Sequence, residues 1–361
     1  MPQQVVIVGA GIIGCAIARE LAVRGTPAIV IDDRPVGGGA TRASAGMLAP
    51  YVEAHDRGPL LDLAVRSLDL YDDWIAALRR DIDGDVEYRR IGTLEVALDD
   101  EGATELRRAA AAHTGVSSTW MSAAEAKRAH PALGPIAGAL FIPAHGYVGA
   151  PQLATALARA AERAGTRFHR ATVTAIAPEG PSIRVTTTDG AIEATHVILA
   201  AGAWTNRITG VRTPPLRPVR GQLLQLGWTR APLSSIVWGP KCYIVPKIDG
   251  SILVGATVEE VGFDERTTAA GVRDLLAAAC ELLPDVQSAT FLDARAGLRP
   301  ATPDALPVIG PDTGDPRIVH ASGHYRNGVL LAPITAKVIA RLIVDQEIDP
   351  SFAEFGPRRF W

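Results

Sequence analysis

Three glycines near the start of the chain have the spacing of a dinucleotide-binding turn. Gly9, Gly11 and Gly14 follow the apolar run 5–8 and open the segment 12–24, whose apolar residues recur with the period of a helix. Gly9 permits a tight turn, Gly11 lets backbone amides approach a pyrophosphate, and Gly14 lets the helix pack closely on the strand. The free N–H groups at the start of such a helix bind phosphate, so this pattern predicts recognition of a dinucleotide.

An acidic residue completes this unit. Asp32 follows a second apolar run, 28–31, and lies eighteen residues after Gly14, where a carboxylate can accept hydrogen bonds from an adenosine ribose. The whole strand, turn, helix and strand unit is a far more specific signal than three glycines alone. Asp32 suits the ribose of NAD or of FAD, however, so the fingerprint by itself does not identify the dinucleotide.

Two further segments favour FAD. The loop 37–47 is rich in glycine, alanine and serine, which lets backbone lie close to a large flat cofactor. Near the end of the chain, a strand over 317–321, a polar loop and an apolar helix over 329–344 repeat the opening arrangement. The start of that helix, at Gly328, would stabilise negative charge on the pyrimidine end of a reduced flavin.

The elements around these motifs predict two domains, since 361 residues are many for a single core. The segments 216–226, 242–246 and 252–256 have the pattern of antiparallel strands, and 58–82 has that of one long amphipathic helix. We therefore predict an α/β fold of the two-domain α+β kind: a Rossmann-like FAD-binding domain with an inserted, mostly antiparallel β substrate domain. The predicted FAD-binding domain comprises residues 1–84, 148–212 and 297–361, and the predicted substrate domain comprises residues 85–147 and 213–296.

Composition argues against several classes of protein. The formal net charge is −3 and no cluster of five basic residues occurs, so we expect no nucleic-acid partner. Cys15, Cys242 and Cys280 are widely spaced and form no CxxC pair, which predicts neither a disulfide framework nor a metal site. No apolar run reaches the length of a membrane span, and the first strand begins within five residues of the start. We therefore expect no signal peptide, no membrane association and a cytoplasmic location.

The fingerprint and six further motifs, in this order along the chain, resemble the D-amino acid oxidase (DAO) family. These motifs are the segments 43–50 (ASAGMLAP), 220–222 (RGQ), 242–246 (CYIVP), 254–257 (VGAT), 296–300 (AGLRP) and 323–328 (GHYRNG). The resemblance extends from the first strand to the last helix, and it is strongest to those members that oxidise glycine in the thiamine pathway. It implies a fold of the DAO or glutathione-reductase-2 type.

The resemblance also implies a substrate site. Arg299 would hold the substrate carboxylate through its bidentate guanidinium, and Tyr243 would donate a hydrogen bond to the same carboxylate. Arg326 would gate or polarise the pocket from the flavin side. We expect Arg299 in a rigid turn between Gly297 and Pro300, which favours this role over an ordinary surface ion pair. A half-buried strand tyrosine is more often structural, so that alternative stays open for Tyr243.

Two positions depart from the family pattern. Val258 stands where glycine-oxidising members have a methionine, and Lys241 stands where they have a pocket histidine. Both are expected in the substrate pocket. The shorter Val258 side chain implies a wider pocket that admits amino acids larger than glycine.

For the cofactor, the resemblance implies FAD bound without a covalent link, because no cysteine follows Cys280. The expected binding residues extend from the ribose and phosphates to the flavin ring: Gly9, Gly11, Ile12, Ile13, Gly14, Asp32, Asp33, Ala40, Thr41, Ala45, Gly46, Met47, Val173, Gly202, His324, Tyr325, Arg326, Asn327, Gly328, Val329 and Leu330.

The activity that follows from the resemblance is oxidative deamination of glycine, sarcosine and small D-amino acids. A hydride would pass from the substrate Cα to flavin N5, and dioxygen would then be reduced to hydrogen peroxide, giving glyoxylate or another 2-oxo acid and ammonia. A role in thiamine thiazole synthesis and a homo-oligomeric state are also implied. Two alternatives stay open: a dehydrogenase that passes electrons to a quinone or carrier, and a non-catalytic flavin-binding subunit. The other histidines, including His55 and His113, are interpreted as surface or packing residues.

Overall fold

The computed structural model describes residues 4–53, 58–112 and 116–361, so His55 and His113 lie outside the described residues. The α-helices are α1 (Ile12–Val23), α2 (Pro50–Glu53), α3 (Pro59–Asp69), α4 (Tyr71–Ile82), α5 (Asp100–Ala112), α6 (Ala123–Ala129), α7 (Ala150–Arg163), α8 (Ala269–Leu282) and α9 (Gly328–Ala340). The β-strands are β1 (Val5–Val8), β2 (Ala28–Asp32), β3 (Met47–Leu48), β4 (Tyr88–Arg89), β5 (Thr93–Ala97), β6 (Thr119–Ser122), β7 (Gly138–Ile142), β8 (Gly146–Val148), β9 (Arg167–Arg170), β10 (Val173–Glu179), β11 (Ser182–Thr187), β12 (Gly190–Ala194), β13 (His196–Leu199), β14 (Arg217–Gly227), β15 (Ile236–Trp238), β16 (Tyr243–Pro246), β17 (Ser251–Gly255), β18 (Thr290–Ala301), β19 (Val308–Pro311) and β20 (Ile318–Ser322).

A six-stranded sheet, in the order β19-β20-β13-β1-β2-β9, carries the glycine turn at the end of β1. Five of its strands are parallel, and β19 pairs antiparallel with β20 at one edge. The central strand β1 is buried on both faces: Val5 and Ile7 pack on a layer that includes α1, α7 and α9, whereas Val6 and Val8 pack on the small sheet β10-β11-β12. This arrangement confirms the predicted Rossmann-like layers.

An eight-stranded sheet, in the order β18-β14-β17-β16-β15-β5-β7-β6, forms the other large part of the fold. Its neighbouring strands are antiparallel, except that β15 and β5 are parallel. Successive residues point to opposite faces, so Ile244 packs against α8 whereas Tyr243 and Val245 pack with Ala45 on the other face. The mostly antiparallel β region predicted from the sequence is therefore present.

The helix predicted over 58–82 is interrupted at Leu70 and forms α3 and α4. Arg90 Nη2 donates a hydrogen bond of 2.8 Å to the carbonyl oxygen of Leu68. The Leu70 N–H donates to the Ser67 carbonyl at 3.2 Å, the spacing of a tighter turn. A side chain from another part of the sequence therefore inserts into the helical ladder, which periodicity alone does not reveal.

The predicted turn around Arg299 is wrong, because this residue lies within the long strand β18. Arg299 pairs with Val219 of β14, and Pro300 pairs with Pro218. Proline is tolerated here because β18 is an edge strand, so a missing N–H does not break an inner ladder.

The predicted domain boundaries stay a prediction, and β18 runs across the division proposed at residues 296 and 297. Within the part of the chain that the structure describes, no helix is long and apolar enough to cross a membrane.

Candidate active site

Steric crowding explains two of the three glycines in the turn between β1 and α1. Gly9 has a φ of +111°, and a Cβ there would lie 2.4 Å from the Ala200 carbonyl oxygen. A Cβ on Gly14 would lie 1.9 Å from the Gly9 carbonyl oxygen, so α1 packs directly on the turn. A Cβ on Gly11 would meet nothing closer than Thr41 Oγ1, at 3.7 Å. The space beside Gly11 is therefore open to a ligand.

The Asp32 carboxylate lies at the end of β2 and is held by backbone N–H groups. Its Oδ2 accepts a hydrogen bond of 2.7 Å from Ala10 N, and its Oδ1 accepts one of 2.8 Å from Arg34 N. Burial raises the pKa of this carboxyl above its usual value, and the two hydrogen bonds act in the opposite direction. Thr41 Oγ1 accepts from Ile12 N at 3.0 Å and so caps the first turn of α1. The contacts of Asp32 and Thr41 therefore fix the backbone at the start of α1.

A cavity of about 480 Å³ connects these groups with the predicted substrate residues. It extends from Asp32 and Val173, past the glycine turn, to Tyr243, Arg299 and Arg326. All of the predicted cofactor-binding residues line it except Gly14, which packs against Gly9. Residues from widely separated parts of the sequence are thus brought to one cavity.

A second helix start borders the same cavity. Gly328 is the first residue of α9, and a Cβ there would meet nothing closer than 3.7 Å. The neighbouring His324 is buried, with Nε2 3.1 Å from Thr335 Oγ1, and burial lowers the pKa of its imidazole to about 3. His324 is therefore neutral, so the positive charge at this place comes from the start of the α9 helix dipole. Two helix starts, each beside an open glycine, fit the diphosphate and the reducible ring of FAD.

Arg299 lies on the inner face of the eight-stranded sheet. Its Nη1 donates hydrogen bonds to the carbonyl oxygens of Thr257, at 2.9 Å, and Arg220, at 3.4 Å. Within residues 4–53, 58–112 and 116–361, no carboxylate lies within ion-pair distance of it. Burial lowers the pKa of the guanidinium, which nevertheless stays a cation near neutral pH. A buried cation held only by carbonyls keeps donors that can bind an anion.

Tyr243 lies on the same face, and Gly255 of β17 makes room for it. A Cβ on Gly255 would lie 2.5 Å from Tyr243 Oη. The phenol ring stacks on Trp238, with ring centroids 5.5 Å apart. Burial raises the pKa of Tyr243, while the charges of Arg299 and Arg326 act to lower it. The group is a protonated phenol that can donate a hydrogen bond into the cavity.

Arg326 forms a bidentate ion pair with Glu53, a lining residue that sequence reasoning missed. Arg326 Nε lies 2.9 Å from Glu53 Oε2, and Arg326 Nη2 donates to Glu53 Oε1 at 3.2 Å. The pair offsets the Arg326 charge next to Arg299. Glu53 follows the ASAGMLAP motif by three residues, and its place beside this motif was the signal that could have identified it.

The two predicted pocket-wall residues are not among the residues that line the cavity. Val258 is 57% exposed and lies between Thr257 and Glu259, whose backbone groups still bond to Gln222 and Arg220 of β14. Lys241 Nζ lies 2.8 Å from Glu281 Oε1 of α8, in a solvent-exposed ion pair. Neither residue is among those that line the cavity, and the wider substrate pocket inferred from them stays a prediction.

The class of protein follows from a comparison with known families. Residues 4–342 match the DAO family, described as FAD dependent oxidoreductase, and the chain belongs to this family. FAD is the cofactor of the family, as the sequence predicted.

Individual relatives narrow the comparison. The chain is 37% identical to the bifunctional protein ThiO/ThiG of Nostoc sp., over 98% of this chain and 55% of that protein. It therefore spans about half the length of such ThiO/ThiG relatives. It is 36% identical to the glycine oxidase of Geobacillus kaustophilus, over 98% of this chain and 96% of that one. The crystal structure of glycine oxidase from Geobacillus kaustophilus superposes with a TM-score of 0.94 over 98% of both chains. Iminodiacetate oxidase from Chelativorans sp. superposes with a TM-score of 0.88 at 28% identity, over 98% of both chains.

Proposed function

We propose that this protein is an FAD-dependent amino acid oxidase that oxidises glycine, sarcosine and small D-amino acids. The observation that carries the proposal is the buried Arg299 guanidinium, which has only carbonyl partners and lies in the cavity that two helix starts border. The glycine oxidase names of similar proteins support the same substrate class.

The residues of this chain would bind and orient the substrate. Arg299 holds the carboxylate through charge-assisted hydrogen bonds, and Tyr243 donates a further one. The Arg326–Glu53 ion pair borders the site as a fixed, nearly neutral wall. The stack on Trp238 holds the Tyr243 ring in place beside the cavity. Orientation of the substrate Cα is the main catalytic contribution that such a site makes.

The chemistry supplied by bound FAD is acceptance of a hydride from the substrate Cα and reoxidation by dioxygen, giving hydrogen peroxide and an imino acid that hydrolyses to a 2-oxo acid and ammonia. The chain would hold FAD non-covalently, through the glycine turn, Asp32 and the start of α9.

Purified holoprotein mixed with glycine, sarcosine or D-alanine without oxygen tests the proposal. The flavin absorbance should bleach, and admission of air should restore it with one peroxide formed per glycine consumed. Arg299→Lys keeps the charge but loses the guanidinium fork, so kcat/KM should fall about 100-fold while FAD content is unchanged.

Arg295→Lys is the matched control, since Arg295 lies on the same strand and face but outside the cavity. Its kinetics should stay near wild type. Bleaching by no amino acid would overturn the proposal. Bleaching without oxygen consumption would replace it with a dehydrogenase.

The imino product would also serve the thiazole-forming step of thiamine synthesis, an inference that the ThiO/ThiG relatives favour. The gene should restore growth without thiamine to a strain that lacks its own glycine oxidase, and the Arg299→Lys variant should not. A homo-oligomeric state and a cytoplasmic location stay predictions.

A further inference from the structure

The orientation of Arg299 depends on the two carbonyl groups that accept from its Nη1. These belong to Thr257 and Arg220, at 2.9 and 3.4 Å. No carboxylate of the described residues forms an ion pair with the Arg299 guanidinium. The contacts that hold these two carbonyls in place therefore also determine the direction in which the guanidinium points.

Residues 257–266, which follow β17, are here called the crossing segment. This segment contains Thr257, and the Arg220 side chain binds it to β14, the strand that carries the other carbonyl. Its side chain is only 4% exposed, and its Nε donates to Glu259 Oε2 at 3.2 Å. Its Nη1 lies 3.0 Å from Asp264 Oδ2, an ion pair without hydrogen-bond alignment. The backbone groups of Arg220 and Glu259 exchange two hydrogen bonds, of 2.9 and 3.0 Å. Arg220 thus holds two points of the crossing segment at once.

Glu259 connects this arginine with Thr257. Thr257 Oγ1 donates to Glu259 Oε1 at 2.5 Å, and Gln222 Nε2 donates to the same oxygen at 2.7 Å. Burial acts to raise the pKa of Glu259, but hydrogen bonds from Arg220, Thr257 and Gln222 lower it below its usual value. The carboxylate is therefore charged and accepts from all three groups.

The alternation of β14 gives each residue of the RGQ motif a separate task. Gly221 faces the cavity, and a Cβ there would lie 2.1 Å from Arg299 Nη2. The side chains of Arg220 and Gln222 lie on the opposite face and bind the crossing segment. Gly221 thus makes room for the Arg299 guanidinium, while Arg220 and Gln222 hold the segment whose Thr257 carbonyl accepts its hydrogen bond.

We propose that Arg220 is a positioning residue: through Glu259 and Asp264 it holds the Thr257 carbonyl, and so directs the Arg299 fork toward the substrate carboxylate without touching substrate. Arg220 is not among the residues that line the cavity. The inference rests on the proposed function only in that Arg299 binds a carboxylate.

The test compares Arg220→Lys with Arg266→Lys in the holoenzyme. Arg266 also pairs with Asp264, but its side chain is 84% exposed and, within the described residues, forms no hydrogen bond or ion pair with Glu259 or Thr257. We measure the Kd of acetate from the change in flavin absorbance, the KM and kcat for glycine, and the FAD content. Arg220→Lys should raise the Kd and the KM about tenfold together, with kcat nearly unchanged and FAD retained. Arg266→Lys should change none of these.

A double-mutant cycle separates positioning from general destabilisation. If Arg220 acts through Arg299, then adding Arg220→Lys to Arg299→Lys should weaken acetate binding little further. An unchanged acetate Kd in Arg220→Lys, or fully additive effects in the cycle, would overturn the inference. Glu259→Gln, which keeps the shape and loses the charge, replaces Arg220→Lys if that variant does not fold. Failure of glycine, sarcosine and D-alanine alike to bleach the wild type, with acetate binding still weakened by Arg220→Lys, would reject the proposed function and leave this inference standing.

Discussion

The two ends of the cavity are built by different means. At the dinucleotide end, the residues are glycines and backbone groups that follow one another along the chain between β1 and β2. At the substrate end, Arg299, Tyr243 and Arg326 are side chains from three separate elements, and each depends on a neighbour that is distant in sequence. The dinucleotide end can therefore be predicted from the spacing of residues along the chain, whereas the substrate end depends on which strands pair with one another.

The largest effect is expected at the dinucleotide end, where substitution of Gly14 and of Gly11 by alanine should have different consequences. Gly14→Ala places a Cβ 1.9 Å from a backbone oxygen, so the free energy of unfolding should fall by about 3 kcal/mol or more. Gly11→Ala meets only open space, so stability without FAD should be retained while FAD affinity falls. Urea unfolding of the FAD-free proteins measures both. Equal stability of the two variants would mean that crowding is not what requires Gly14.

His324 allows a test by pH, at the flavin end of the cavity. Its pKa is about 3 in the native protein, against an ordinary value near 6.5, so the unfolded chain binds a proton that the native one does not. Its contribution to stability is complete above the unfolded pKa and is lost as the pH falls. Between pH 6.5 and 5.0 the wild type should therefore lose about 2 kcal/mol more than His324→Gln. Parallel stability curves for the two proteins would contradict a buried neutral imidazole.

Gly221→Ala sharpens the comparison at the substrate end. The new Cβ would meet the Arg299 guanidinium, the end of a flexible side chain, so the fold should survive while the fork is displaced. We expect KM for glycine to rise about tenfold with FAD content unchanged. Loss of FAD together with the rise in KM would show that the two ends are not separable.

Tyr243→Phe should have a smaller effect, because it removes one hydrogen bond and leaves the stack on Trp238. KM should rise about fivefold, the worth of about 1 kcal/mol. A steady-state assay over a range of glycine concentrations measures this. A kcat that falls while KM is unchanged would assign the phenol to the chemical step instead.

Val258→Met should have the smallest effect, since Val258 is 57% exposed and is not among the residues that line the cavity. The ratio of kcat/KM for glycine and D-alanine should stay within about twofold of wild type. A clear shift toward glycine would place Val258 at the substrate after all.

The sequence predicted the fold class, β1 and the start of α1, because these depend on local period and glycine spacing. It predicted FAD from the small-residue loop 37–47, the second helix start at Gly328 and the resemblance to the DAO family. It placed Arg299 in a turn because Gly297 and Pro300 flank it, whereas pairing with β14 makes the segment an edge strand. It treated 58–82 as one helix because Arg90 is distant from Leu68 in sequence. The resemblance to the family places Val258 at the pocket, and this role stays a prediction because Val258 is not among the residues that line the cavity. The roles assigned to the lining residues stay predictions until the variants above are measured.

The order of strands in the parallel sheet has a consequence for how the chain folds. β1 is synthesised before the other strands of its sheet, yet this sheet also needs β13 and β20, and β20 ends at Ser322. Pairing across so many residues requires closure of a very long loop, which slows folding. α9 starts at Gly328, after the loop 323–327 that follows β20. A nascent chain therefore contains its phosphate turn early, but it cannot form the flavin end of the cavity until residues 323–328 have left the ribosome.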